Sequence, residues 1–314
     1  MASQTVDITT QVSDSALSGT ELREWMAPTA EALRALACAV EETGPRHGAM
    51  PSADSVAMGE LADQDSYGAR SGWEQPVADT HEFGSMTLLA SLDYVRSFAN
   101  LFATDRAPVY GQFVLARAAL ESSVVAWWLS ERDIANEERL KRGLCELIYS
   151  AQEEKRLGLS PTAAETLAER EGFADQLGWR LGRDRRGRPV VGDARRPAPG
   201  AGITRLVVAD PGAPLGKVLW SRLSAVNHVA RCGLAWALEP PEEPGGAVGG
   251  STVPIQTDSR TVAVLAFCIL RALRVSASER FKIMGWVDEP WTDAAIASKK
   301  HELTLIRSAA GASS

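Results

Sequence analysis

The sequence lacks the paired cysteines and histidines that build a metal site. Its four cysteines, Cys38, Cys145, Cys232 and Cys268, are far apart, and no C-x-x-C occurs. Each lies in an apolar segment of helical pattern, so buried reduced thiols are expected, not disulfides or zinc ligands. The four histidines, His47, His81, His228 and His301, are equally scattered. No metal and no cofactor is therefore expected. G-x-G-x-x-G, the Walker A loop, G-x-S-x-G and D-D-x-x-D are all missing. The dinucleotide, nucleotide, serine-hydrolase and metal-dependent cyclase signatures are thereby removed.

Positive charge is also short. Forty acidic residues outweigh 33 basic ones, a net charge of −7 that gives no global reason to expect nucleic acid as a partner. Any anion site has to be local, and the only strongly basic stretch is 180–202, with Arg180, Arg183, Arg185, Arg186, Arg188, Arg195 and Arg196. Long hydrophobic runs are missing too. The longest, 262–270, is too short to span a bilayer, so no membrane partner is expected. The first residues carry neither a basic nor an apolar signal region, which fits a cytoplasmic protein.

What is present is helical periodicity. Apolar residues make up 45% of 314 positions, ample for a sizeable core. Leu22, Trp25, Met26, Leu33, Leu36 and Val40 recur at helical spacing, as do Leu88, Leu89, Leu92, Val95, Phe98, Leu101 and Phe102. Further helices are expected over 110–132, from Asn136 through Glu154, 161–179, 215–238, 258–284 and 291–308. No strand-rich region stands out. The expected architecture is one all-α domain of seven or eight helices over 18–314, after a loose polar tail at 1–17. Gly, Pro, Ser and Asp mark 44–82 and 180–202 as flexible insertions and 239–257 as a Pro/Gly linker.

The segment 110–132 carries a charged pair where apolar residues are expected. On a helical wheel Tyr110, Val114, Val124 and Trp128 fall within about 60° of Arg117, and Glu121 within about 40°. The opposite face, Gln112, Ala119, Ser122, Ser123 and Ser130, then reads as the wet one. Buried charge is costly unless paired, so Arg117 and Glu121 are expected to pair with each other or with another helix. The plain alternative is a pair that only fixes helix register.

The helix at 215–238 has a face of small neutral polars, Ser221, Ser224 and Asn227, beside Trp220, His228 and Arg231. That pattern fits a polar pocket better than bulk water. Arg222 and His228 are separated by five residues, and this R-x5-H resembles the R-x4-6-H motif of HEPN ribonucleases. Arg117, Glu121, Trp127 and Trp128, followed by Ser224 and His228, also resemble several bacterial helical families related to HEPN. The resemblance implies a homodimer that binds or cleaves RNA without a metal, in a toxin or antiphage setting. Its catalytic residues would be His228, Arg222, Glu121 and Arg117. Ser224, Asn227, Trp220, Trp128 and Asp93 would contact substrate. Arg would steady the phosphate and His would move the proton. Two other classes stay open. One is a non-catalytic helical interaction protein. The other is an enzyme or binder for an apolar, terpenoid-like small molecule in a cavity lined by some of the nine tryptophans.

Overall fold

The computed structural model describes residues 19–103, 110–208, 215–228 and 259–311. Helix dominates, and the described residues form eleven helices rather than seven or eight. They are α1 (Gly19–Arg46), α2 (Val56–Leu61), α3 (Gln64–Ser71), α4 (Pro76–Leu101), α5 (Gly111–Leu129), α6 (Asn136–Leu157), α7 (Ala163–Gln176), α8 (Pro199–Val207), α9 (Leu215–Asn227), α10 (Ser259–Met284) and α11 (Glu289–Gly311). A three-stranded antiparallel sheet, β1 (Leu181–Arg183), β2 (Pro189–Val191) and β3 (Ala194–Arg195), lies between α7 and α8. The expected tail at 1–17, the linker at 239–257 and the continuation of α9 to 238 lie outside the described residues, as does Cys232.

Two hydrophobic cores share α4 and α5. The larger is built by α1, α4, α5, α8, α9, α10 and α11 around Phe98, Phe113, Leu120, Leu270 and Phe281. The smaller joins α6, α7 and the sheet around Leu140, Leu144, Ile148, Phe173 and Val191. α5 enters both: Phe113, Ala116 and Leu120 belong to the first, and Val125, Trp128 and Leu129 to the second. Each fully buried Leu or Phe contributes roughly 1.5–3 kcal/mol before entropy is charged against it.

This double burial overturns the expected wet face of α5, while Val124 and Trp128 of the expected inner stripe are buried. Gln112, Ala119, Ser123 and Ser130 are all buried, whereas Val114 is 43% exposed. The reason is close helix packing. Ala119 and Ser123 let α4 approach, and the Ser91 hydroxyl bonds the Ser123 hydroxyl at 2.7 Å and donates to the Ala119 carbonyl at 3.2 Å. Small residues on one helix face mark a near neighbour here, not water. The same device recurs elsewhere. A methyl group added at Gly143 on α6 would sit 2.7 Å from Thr80 Cγ2 on α4, and one at Gly216 on α9 would sit 2.5 Å from the Gly200 carbonyl oxygen on α8.

Both expected insertions carry regular structure. Within 44–82, the Ser55 hydroxyl accepts from the Met58 amide and starts α2; α3 follows, and α4 begins at Pro76, well before Ser85. Trp73 and Val77 anchor this segment in the smaller core. Within 180–202, Val191 and Ala194 are buried against α6 while Arg183 and Arg195 are exposed, an alternation that the Gly and Pro content hides. Cys145 and Cys268 are buried, and burial pushes each thiol up to about 12; Cys38 is exposed, contrary to expectation. α10 as a whole is long and apolar enough by composition to cross a membrane, but 61% of its most apolar window is buried inside the fold.

Candidate functional site

A cleft of about 400 Å³ opens between α4, α5 and α6. α4 supplies Phe83, Thr87 and Tyr94; α5 supplies Ala118, Glu121, Ser122 and Val125; α6 supplies Glu146, Tyr149, Ser150 and Glu153. Arg196, just after β3, closes one side. No tryptophan lines it. The described tryptophans pack in or against the cores instead, Trp73 stacked on Phe173 and Trp291 edge-on to Phe281.

Glu146 is the unusual group in this cleft. It recurs with Arg139 and Arg142 at three- and four-residue spacing, so all three project toward the interior side of α6. Glu146 is only 3% exposed. Its Oε2 accepts from Arg196 Nη1 at 3.1 Å, while its Oε1 is buried with no hydrogen-bond partner. Burial raises the carboxyl above the usual range, with Arg196 and Arg188 pulling the other way. The Arg196 guanidinium also lies over the Tyr149 ring at 5.4 Å, which fixes the cation from two sides.

Glu121 stands on the α5 wall. The Arg117–Glu121 pair forms as the spacing requires, Nε to Oε1 at 2.9 Å, and Trp220 Nε1 donates to the same oxygen at 2.7 Å. The Arg117 and Arg186 guanidinium groups lie 5.6 and 5.8 Å from the Trp220 ring centre. The pair is not sealed: the two side chains are 16% and 30% exposed. Arg117, Glu121 and Trp220 thus come together.

The other expected site residues do not join them. Arg222 and Asn227 are exposed on α9, His228 is exposed one residue past its end, and Ser224 is half-buried. His228 lies eight residues beyond Trp220, about 12 Å along the helix axis, and is not among the cleft residues. Trp128 is buried in the smaller core under the Arg142 guanidinium, 5.4 Å from its ring centre. Asp93 is exposed, beside the cleft residue Tyr94. Among the described residues no cluster of three His, Cys, Asp or Glu side chains could hold a metal ion.

Sequence reasoning also missed a second, sealed charge network. Glu60, His81, Arg139 and Arg280, from α2, α4, α6 and α10, are 6%, 5%, 1% and 2% exposed. Arg139 Nε donates to both Glu60 oxygens at 3.0 and 2.9 Å, and its other nitrogens cap the end of α5 through the Leu129 and Glu131 carbonyls. Arg280 donates to the His81 carbonyl at 2.6 Å and to the Ser85 hydroxyl at 2.8 Å. His81 bridges Glu60 through Nε2 at 2.9 Å and Arg280 through Nδ1 at 3.0 Å. A guanidinium only donates, so Nδ1 accepts and the proton sits on Nε2, facing Glu60. Burial, with help from Arg280, lowers His81 to about 4 against the pull of Glu60, so the ring is neutral at pH 7. Burial and the neighbouring Arg139 lower Arg280 to about 9, which still leaves it charged.

No protein-family model, curated protein or solved structure matches the chain. The case for function therefore rests on the geometry of these residues.

Proposed function

We propose that the cleft between α4, α5 and α6 binds a small polar molecule and that Glu146 is the group that engages it. One observation carries this reading: a carboxyl 3% exposed, on the wall of a cleft of about 400 Å³, with one oxygen unpartnered. A buried polar atom without a partner costs about 1–3 kcal/mol, so a ligand that supplies the missing hydrogen bond recovers that cost on binding. The raised carboxyl donates when protonated and accepts when ionised, which also suits it to move a proton. Phe83 and Tyr94 offer apolar walls, and Glu121 offers a second carboxylate. Saturation-transfer NMR against a mixture of small alcohols, amides and amines tests the reading. Hits are expected with the native chain and are expected to vanish with Glu146→Gln. Hits that persist unchanged in that variant, or no hits at all, overturn it.

A second reading keeps the HEPN resemblance and assigns RNA to α9. It is favoured by the exposure of Arg222 on that helix and of His228 just past its end, and by the basic hairpin residue Arg186 beside its Trp220. A phosphodiester cleaved without metal needs a cation and a proton carrier, and this pair supplies both kinds. On this reading His228→Ala abolishes RNA cleavage and leaves the helical circular dichroism intact, and the chain sediments as a dimer. Undiminished RNA turnover in that variant would sink it.

A further inference from the structure

The outer edge of the small sheet is unpaired and opens on a second cleft. In the sheet order β1-β2-β3, β1 is a free edge. Its register sets Leu181 opposite Val191, Gly182 opposite Val190 and Arg183 opposite Pro189. Just beyond the strand ends, Gly192 donates to the Arg180 carbonyl and Asp184 donates to the Arg188 carbonyl. Hydrogen-bonded pairs alternate along an antiparallel ladder, so positions 180, 182 and 184 bond inward to β2. The main-chain N–H and C=O of Leu181 and Arg183 therefore point outward. Pro189 fits this reading, because it stands opposite Arg183 in a pair that needs no N–H. Among the described residues the outward groups find no partner.

Beside this edge lies a cleft of about 380 Å³, with Ile148 and Gln152 of α6 on its floor and Glu171 of α7 opposite. The Gln152 amide nitrogen is buried and has no hydrogen-bond partner. Arg183 reaches across to Glu171 only at 3.6 Å, and both side chains are largely solvated, 53% and 39% exposed. Such a pair is worth little and opens at small cost.

We infer that β1 accepts an extended acidic peptide segment as a fourth strand. Two outward residues offer up to four main-chain hydrogen bonds, which only an extended backbone can meet together. Exposed Arg180, Arg183 and Arg185 run along or beside the strand, so acidic side chains complement it. Gln152 supplies a donor for a peptide carbonyl or carboxylate, and Leu181 favours a β-branched residue opposite.

The probe is the blocked peptide Thr-Glu-Val-Glu-Val-Thr, titrated against the full chain with amide hydrogen exchange and fluorescence anisotropy. The Leu181 and Arg183 amides are expected to gain about tenfold protection. Arg183→Glu, an exposed change, is expected to weaken binding about fivefold or more. A peptide N-methylated at alternate residues is expected not to bind. Equal binding of that N-methylated peptide means attraction by charge alone and overturns the proposal. So does unchanged protection at saturating peptide, or displacement of the peptide by oligouridylate at equal concentration.

Discussion

Glu60 and Glu146 are buried to the same degree, 6% and 3% exposed, and the fold treats them in opposite ways. Glu60 has both oxygens engaged, by Arg139 twice and by His81. Although burial opposes it, the bonds from His81 and the nearby Arg139 prevail and hold its carboxyl below the usual range. Glu146 has a single cation on one oxygen and nothing on the other, and burial wins. Depth alone does not decide the state of a buried acid; the number of donors that reach it does. The saturated glutamate ties four helices together and has no capacity left for a ligand. The half-satisfied one faces a cleft.

The sharpest way to break the contrast is to make one substitution at both sites. Glu60→Gln strands Arg139 and Arg280 in the core without a counter-charge and is expected to cost about 4 kcal/mol in urea unfolding. A loss below about 1 kcal/mol would mean that the network is not the anchor the geometry describes. The pH dependence comes next. His81 is held below its ordinary value of 6.5, at about 4, so its contribution is complete above pH 6.5 and is lost as pH falls through 4. Stability is expected to drop by about 3 kcal/mol across that window, and His81→Gln is expected to flatten the slope. A similar slope in the variant would assign the effect to other groups.

Spacing offers a third test. Gly143 on α6 meets Thr80, the residue before His81, so Gly143→Ala wedges α6 from α4 next to the network. A cost of about 2 kcal/mol is expected, with part of it restored by Thr80→Gly in the same chain. Glu146→Gln should be milder, within about 1 kcal/mol of the native chain at neutral pH. The amide resembles the protonated acid, and Arg196 is left at the cleft side, not in the core. Its carboxyl is raised, so the native contribution is present below pH 4.5 and fades as pH rises through the folded value. The variant should therefore gain on the native chain as pH rises above 4.5; a widening loss would reverse the assignment. Smallest of all is Glu121→Gln, a partly exposed pair, expected to change stability by less than about 0.5 kcal/mol.

The helices were largely legible from apolar spacing, and so was the Arg117–Glu121 pair, because i and i+4 meet on any helix. The faces of α5 were not, since Ala119 and Ser123 look alike whether they meet water or another helix. Arg139 and Arg142 were hidden differently. They sit in a helix rich in exposed charge, and only their phase with Leu140 and Leu144 hints that they turn inward. Glu60 lay in a segment whose Gly, Ser and Asp content suggested a flexible chain, yet Ser55 starts a helix there and Glu60 fixes it to Arg139. His228 stands out in the sequence because the chain has only four histidines; scarcity is a property of composition, and it carries no information about position.

The crossing of α8 and α9 has a consequence for how this protein can vary over generations. At Gly216 the α8 main chain, Gly200 oxygen included, occupies the space of any side chain. Every single-base change of a glycine codon that replaces the residue adds atoms, so no substitution reached by one such step at this position is free. The Trp220 indole that reaches Glu121 is held one helical turn further along the same helix. A lineage can therefore change the donor to Glu121 at Trp220 itself, but it inherits the angle at which α9 presents that residue.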